Sequence, residues 1–127
     1  MKVLALDFGR ARTGVAVSDP TGTIARLLDV VSGDDIGRIV ELIDEHEVER
    51  VVVGLPLTLA GERGEQARET QVFVDALTAA TGIPVVTFDE RFTTDLAEQT
   101  PSDAPEDARA AAHLLTSYLT WASGAPA

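Results

Sequence analysis

The stretch Val3-Leu-Ala-Leu-Asp7-Phe-Gly9-Arg-Ala-Arg12-Thr-Gly-Val-Ala-Val-Ser18 decides how the chain is read. An apolar strand runs into an aspartate, turns over through residues 9–12, and returns as a second apolar strand from Thr13 to Val17. A carboxylate at the tip of an otherwise buried strand is costly to desolvate unless a cation, hydrogen bonds or water meets it there. Asp7 is therefore the first candidate for chemistry, although Asp shortly before Gly is also ordinary turn chemistry.

Working outward, Asp19-Pro-Thr-Gly22 has the residue preferences of a type I turn and leads into a third strand over about Ile24 to Val31. From Asp34 the period changes: Ile36, Ile39, Val40 and Ile43 recur at the offsets of one helix face, with His46 in the last turn complementing the helix dipole. Arg50-Val-Val-Val-Gly-Leu-Pro56 is a β-branched run stopped by Gly and Pro, as in a strand buried on both faces of a parallel sheet. Leu57 to Gly64 reads as a connecting loop, since Gly61-Glu-Arg-Gly64 lacks the Gly-Lys-Ser/Thr ending of a phosphate-binding loop.

A second helix follows over Glu65 to Thr81, with Thr70, Phe73, Leu77 and Ala80 on one face and Gly82 as its breaker. Ile83-Pro-Val-Val-Thr-Phe88 is the last strand, and it too runs into acid, Asp89-Glu90-Arg91. Strand neighbours point to opposite faces, so only one of Asp89 and Glu90 can share a side with Asp7. Thr93, Thr94 and Asp95 supply cap chemistry for a short helix. The final helix opens near Asp103-Ala-Pro-Glu106, which resembles a capping box, and carries the stripe Ala111, Leu114, Leu115, Tyr118 and Ala122. Asp107 precedes Ala111 by four residues and so lies on the buried side of the first turn, where it also suits the positive helix end. His113 has no second ligand at i+4 and reads as packing or surface.

The 127 residues, 45% hydrophobic, suffice for one core: a single domain over 1–122 with a short loose tail at 123–127. With no cysteine there is no disulfide framework, thiolate zinc site or cysteine nucleophile. No stretch approaches membrane-spanning length, and a cytoplasmic location is expected. The excess of 21 acidic over 10 basic residues, net charge −11, opposes non-specific binding to nucleic acid. A local positive site remains open, because Arg10, Arg12, Arg63, Arg68, Arg91 and Arg109 all fall near loops or helix starts.

Three opening antiparallel strands followed by parallel crossovers argue for a mixed five-stranded α/β sheet with helices on both faces. Such a fold gathers strand tips, so the acids on two strands and the last helix can converge on hard divalent cations.

Four ordered blocks resemble one family. They are Leu6-Asp-Phe-Gly9 with Gly14-Val-Ala-Val-Ser-Asp19; Val52-Val-Gly-Leu-Pro56 with Gly61; Asp89-Glu-Arg-Phe-Thr-Thr94; and Asp107 with Ala110-Ala111, Leu114-Leu115 and Tyr118-Leu119. On these blocks the chain is similar to the YqgF/RuvX family of the RNase H-like superfamily, which also contains the resolvase RuvC. The resemblance implies an RNase H-like fold and a metal-dependent nuclease acting on structured nucleic acid, in maturation of the 5′ end of pre-16S rRNA. It implies Asp7, Glu90 and Asp107 as ligands of two Mg²⁺ or Mn²⁺ ions, with Asp7 bridging and Asp89 as a substitute for Glu90. Arg10, Arg12 and Arg91 would bind phosphate, and Thr93 and Thr94 would hydrogen-bond to it or cap the helix.

The family's basic loop before the last helix is here Thr100-Pro-Ser-Asp-Ala-Pro-Glu106, short and acidic. That departure points to a ribosome-bound substrate or a partner that supplies positive charge. Two other readings stand beside the nuclease: a Holliday junction resolvase acting on branched DNA, and a non-catalytic RNA- or ribosome-binding module. The phosphate-binding hairpin of actin-like ATPases opens similarly, but that fold duplicates the unit and needs a far longer chain.

Overall fold

Strand β1 (Val3–Asp7) is the central strand of a five-stranded sheet in the computed structural model. The structure describes residues 1–56, 64–92 and 106–124, without the side chains of residues 92 and 106–108. β1 pairs antiparallel with β2 (Arg12–Ser18), and β2 pairs antiparallel with β3 (Ala25–Ser32). On its other side β1 runs parallel to β4 (Arg50–Leu55), which runs parallel to β5 (Val85–Asp89). The order is β3-β2-β1-β4-β5, the mixed sheet expected from the alternation of patterns.

A strand buried on both faces must be apolar at every position, and its alternate residues then serve two cores. Leu4 and Leu6 join Val15, Val17, Val51 and Val53 beneath α1 (Ile36–Glu45) and α2 (Glu65–Ala80). Val3 and Ala5 join Ala16, Val52 and Phe88 beneath α3 (Glu106–Ala122), which contributes Ala111, Leu114, Leu115 and Tyr118. The helices therefore lie on both faces of the sheet.

Helix α1 buries Ile39, Leu42 and Ile43, and the Asp35 side chain caps it by accepting the Arg38 N–H at 3.1 Å. At its end the backbone N–H of His46 donates to the Leu42 carbonyl. Helix α2 buries Ala67, Thr70, Phe73, Val74 and Leu77, whereas Ala80, expected on that face, is exposed. Gly82 follows directly on the end of α2, as expected of its breaker, but not as a left-handed cap. Thr81 leaves the helix in extended conformation (φ −123°, ψ 152°), so the chain exits without a left-handed residue and Gly82 is not the terminating cap. In α3 the stripe ends at Tyr118; Ala122 is exposed. The loop at 57–63, Thr93-Thr94-Asp95, the start of the proposed capping box at 103–105 and the tail at 125–127 lie outside the described residues. Among the described residues no helix is long and apolar enough to cross a membrane.

The turn between β1 and β2 is pinned by a buried threonine. Thr13 is fully inaccessible, and its hydroxyl donates to the carbonyl of Gly33 at 2.6 Å. The Gly33 N–H in turn donates to the carbonyl of Ala11 at 3.1 Å. A side chain at position 33 would collide with the Arg10 carbonyl, so glycine lets the β3–α1 connection press against the turn that follows Asp7. Thr13→Val keeps the shape and removes the donor from a buried carbonyl. Urea unfolding should show a loss of about 1–2 kcal/mol with an unchanged denaturant slope; a loss under about 0.5 kcal/mol would mean that the hydroxyl does not hold the turn.

Candidate active site

Strand parity decides which way the first acid faces. Val3 and Ala5 belong to the α3-side core, so Asp7, two residues on, projects to the α3 side at the end of β1. Phe8 falls on the opposite phase and stacks on Phe73 of α2, ring centroids 4.5 Å apart.

The second acid arrives from β5. That strand ends at Asp89, and Glu90 opens a single 3-10 turn (Glu90–Phe92), so strict strand alternation no longer governs residues 89–91. Glu90 folds back across β4: a Cβ at Gly54 would lie 2.5 Å from its Oε1, 3.0 Å from its Cγ and 3.2 Å from its Cδ. There its carboxyl meets Asp7 in a hydrogen bond. Burial, then the Asp7 charge and that hydrogen bond, and lastly the Asp89 charge, push the Glu90 carboxyl up to about 7. Asp89 turns away. The Arg91 guanidinium holds it through Nε at 2.9 Å and Nη2 at 2.6 Å, and the Arg91 backbone N–H adds a bond at 2.9 Å. These contacts, the guanidinium hydrogen bond first, hold the Asp89 carboxyl below the usual carboxylate range.

The third expected acid, Asp107, falls in the first turn of α3. Tyr118 Oη accepts from Arg50 Nη1 at 3.1 Å, so the later part of α3 lies at the start of β4. Residue 107 is eleven positions earlier, about 16 Å along the helix axis. The Asp107 side chain lies outside the described residues, as do Thr93 and Thr94.

The arginines expected on phosphate are already engaged. Arg10 donates from Nε to Glu69 Oε2 at 2.7 Å and from Nη2 to Glu69 Oε1, with Glu65 3.6 Å from the same nitrogen. Phe8, Arg10 and Glu69 line two clefts, of about 470 and 350 Å³. Arg91 holds Asp89, and Arg12 is exposed at the start of β2. The Arg10 bridge to Glu65 is exposed and worth about 0–1 kcal/mol, whereas Asp89 is only 16% accessible in its pair with Arg91.

Among the described residues no group of three or more His, Cys, Asp or Glu comes together as a ligand set. Asp7 and Glu90 form an all-oxygen pair whose second proton is hard to lose while no cation is near. Such a donor set fits a hard divalent cation, which would relieve the repulsion that raises Glu90. Two features were not read from the sequence. Gly54 had a signal, a glycine inside a buried strand; the Glu65 and Glu69 partners of Arg10 had none, because α2 acids look like solvated surface.

Sheet order, helices on both faces and an acid pair at the end of the central strand place the chain in the RuvC-like class of the RNase H fold. The fold matches Thermus thermophilus RuvC solved in complex with a Holliday junction substrate: TM-score 0.64, 21% identity, 98% of this chain and 96% of that one. The fowlpox virus Holliday junction resolvase matches at TM-score 0.54 and 13% identity over 95% and 99% of the two chains. The chain belongs to the RuvX family, described as Holliday junction resolvase, whose model matches residues 1–121.

Curated relatives carry the name "Putative pre-16S rRNA nuclease". That of Chloroflexus aurantiacus is 50% identical over 101 residues, which are 76% of this chain and 66% of the relative, so the match spans just under two thirds of that protein's length. Those of a Sulfurihydrogenibium species and of Listeria monocytogenes are 40% and 37% identical, covering 93% and 94% of this chain and 89% and 97% of theirs.

The raised Glu90 carboxyl has a consequence for stability. Unfolded, it ionises near its ordinary 4.5; folded, it keeps its proton to about 7, so between these values the native state holds more protons and stability falls as pH rises. Discounted for partial exposure, the loss is on the order of 1–2 kcal/mol. In EDTA, Glu90→Gln should therefore be more stable than wild type by that amount near pH 8 and equal to it near pH 4. A difference that is the same at both pH values would mean that the Glu90 carboxyl is not held against Asp7.

Proposed function

We propose that this chain is a divalent-metal-dependent nuclease that hydrolyses phosphodiester bonds in structured nucleic acid, with the 5′ end of pre-16S rRNA as its substrate. The observation that carries the reading is the meeting of the Asp7 and Glu90 carboxyls across β4 at the strand ends. The names of the curated relatives support the substrate.

In this reading Asp7, Glu90 and Asp107 hold Mg²⁺ or Mn²⁺, two ions by analogy with other phosphodiester hydrolases. Bound cations would supply activation of water and neutralisation of the charge that develops on the phosphate. The chain's own residues do the rest. Asp7, on the rigid central strand, fixes one edge of the site, and Glu90 would lose its proton to solvent on binding a cation. Asp89 keeps the Arg91 guanidinium near the site until phosphate replaces it, and Arg10 and Arg12 on the β1–β2 turn meet the flanking backbone. Thr93 and Thr94 are proposed to contact phosphate.

The second reading, resolution of four-way DNA junctions, is favoured by the family's description and by the fold shared with RuvC. A third, binding without cleavage, is favoured by the net charge of −11. The work is expected to be cytoplasmic, where pre-rRNA is processed.

Incubation of a pre-16S rRNA 5′-end fragment and a four-way DNA junction with Mn²⁺ or Mg²⁺ tests all three. Cleavage of the RNA should vanish in EDTA and fall at least about a hundredfold in Asp7→Asn, with the fold retained by circular dichroism. Preferential cutting of the junction would favour the resolvase, and binding without any metal-dependent cutting would establish the binding module instead.

A further inference from the structure

We infer that Gly54 is a positioning residue of the metal site: the absence of a side chain on β4 creates the seat in which Glu90 reaches Asp7. The inference rests on the metal-site reading above and adds to it a residue that bears no ligand atom.

The argument begins with strand spacing. β4 lies between β1 and β5, so Asp7 and the end of β5 are separated by two spacings of about 4.8 Å. A glutamate side chain extends little more than one spacing. An acid from beyond β5 therefore meets Asp7 only by lying flat across β4. The place of crossing is set by register: Leu6 stands beside Val53, and Gly54 beside Phe88, one residue short of the end of β5. Gly54 is thus the β4 residue between Asp7 and Glu90. Its phase is that of Val52, which belongs to the α3-side core, the side to which Asp7 projects.

An alanine Cβ here would lie 2.5 Å from the Glu90 Oε1, closer than a Cβ contact allows, and 3.0 Å from its Cγ, so the Glu90 side chain would have to shift. The three nearest atoms are all Glu90 side-chain atoms, with no backbone among them. Alanine would therefore expel Glu90 and leave the sheet intact. A glycine inside a buried strand weakens it, and here the vacant volume receives a carboxylate.

The discriminating measurement is a double-mutant cycle on Mn²⁺ affinity by titration calorimetry, with wild type, Gly54→Ala, Glu90→Ala and the double variant. Gly54→Ala should weaken Mn²⁺ about 10–100-fold, as Glu90→Ala does, and the double variant should stay within about twofold of the weaker single variant. In EDTA, Gly54→Ala should keep its melting temperature within about 3 °C of wild type or above it, because strand glycine is replaced and the carboxylate pair is parted. If Gly54→Ala binds Mn²⁺ like wild type while Glu90→Ala does not, the seat is overturned and the ligand assignment stands. If Glu90→Ala itself binds like wild type, the ligand assignment fails and the seat with it. A Gly54→Ala chain that fails to fold even when combined with Glu90→Ala would also overturn the inference, since the clash would then be with the sheet.

Discussion

Two carboxyl groups held against each other at the edge of a hydrophobic sheet are the constraint on which the rest of this structure turns. Burial and the Asp7 charge together push Glu90 up to about 7, so near neutrality this carboxyl is only partly ionised. A protein selected only for stability would separate these groups. Here the architecture opposes separation. Asp7 stands on a strand hydrogen-bonded on both sides, and Glu90 follows a strand two places away. The 3-10 turn re-aims Glu90, while Asp89 is occupied by a forked arginine. Thr13 and Gly33 fasten the turn beyond Asp7 from the other side. Electrostatic cost is stored where a divalent cation would remove it.

The charge distribution extends this logic to substrate. A net charge of −11 repels a polyanion at long range, and the arginines nearest the site are neutralised within the molecule: Arg10 by Glu69 and Glu65, Arg91 by Asp89. The Arg10 pair with Glu65 is exposed and therefore weak, whereas Asp89 is only 16% accessible in its pair with Arg91. What the surface denies is non-specific attraction, which depends on summed positive charge. With so little summed positive charge, long-range attraction cannot supply the affinity for a polyanion, and short-range contacts would have to.

Much of this was legible in the sequence because the sheet is of a kind that writes clear patterns. A doubly buried parallel strand must be apolar throughout, and Val51 to Val53 are; the helices declare themselves by their spacing, and the opening hairpin by Asp7 and Gly9. The errors fall at element ends. Ala80 and Ala122 continue the helical stripe on paper, but small apolar residues at a helix end extend past the sheet and lose little by exposure. Gly82 does follow the end of α2, but the chain leaves the helix at Thr81 in extended conformation rather than through a left-handed glycine.

The choice between Asp89 and Glu90 was the reading that mattered most, and alternation along a strand was not enough to make it. The strand stops one residue earlier than that argument requires, and the side chains are sorted by partners: Asp89 is short enough to fork with Arg91 on its own turn, while Glu90 has the extra methylene to cross β4. The crossing in turn needs Gly54, whose purpose no local pattern reveals, because the residues it serves lie 36 positions later and on another strand's neighbour. Local periodicity encodes which face a residue takes. Whether two charged groups meet depends on three strands at once, and that information becomes visible only when the register is known.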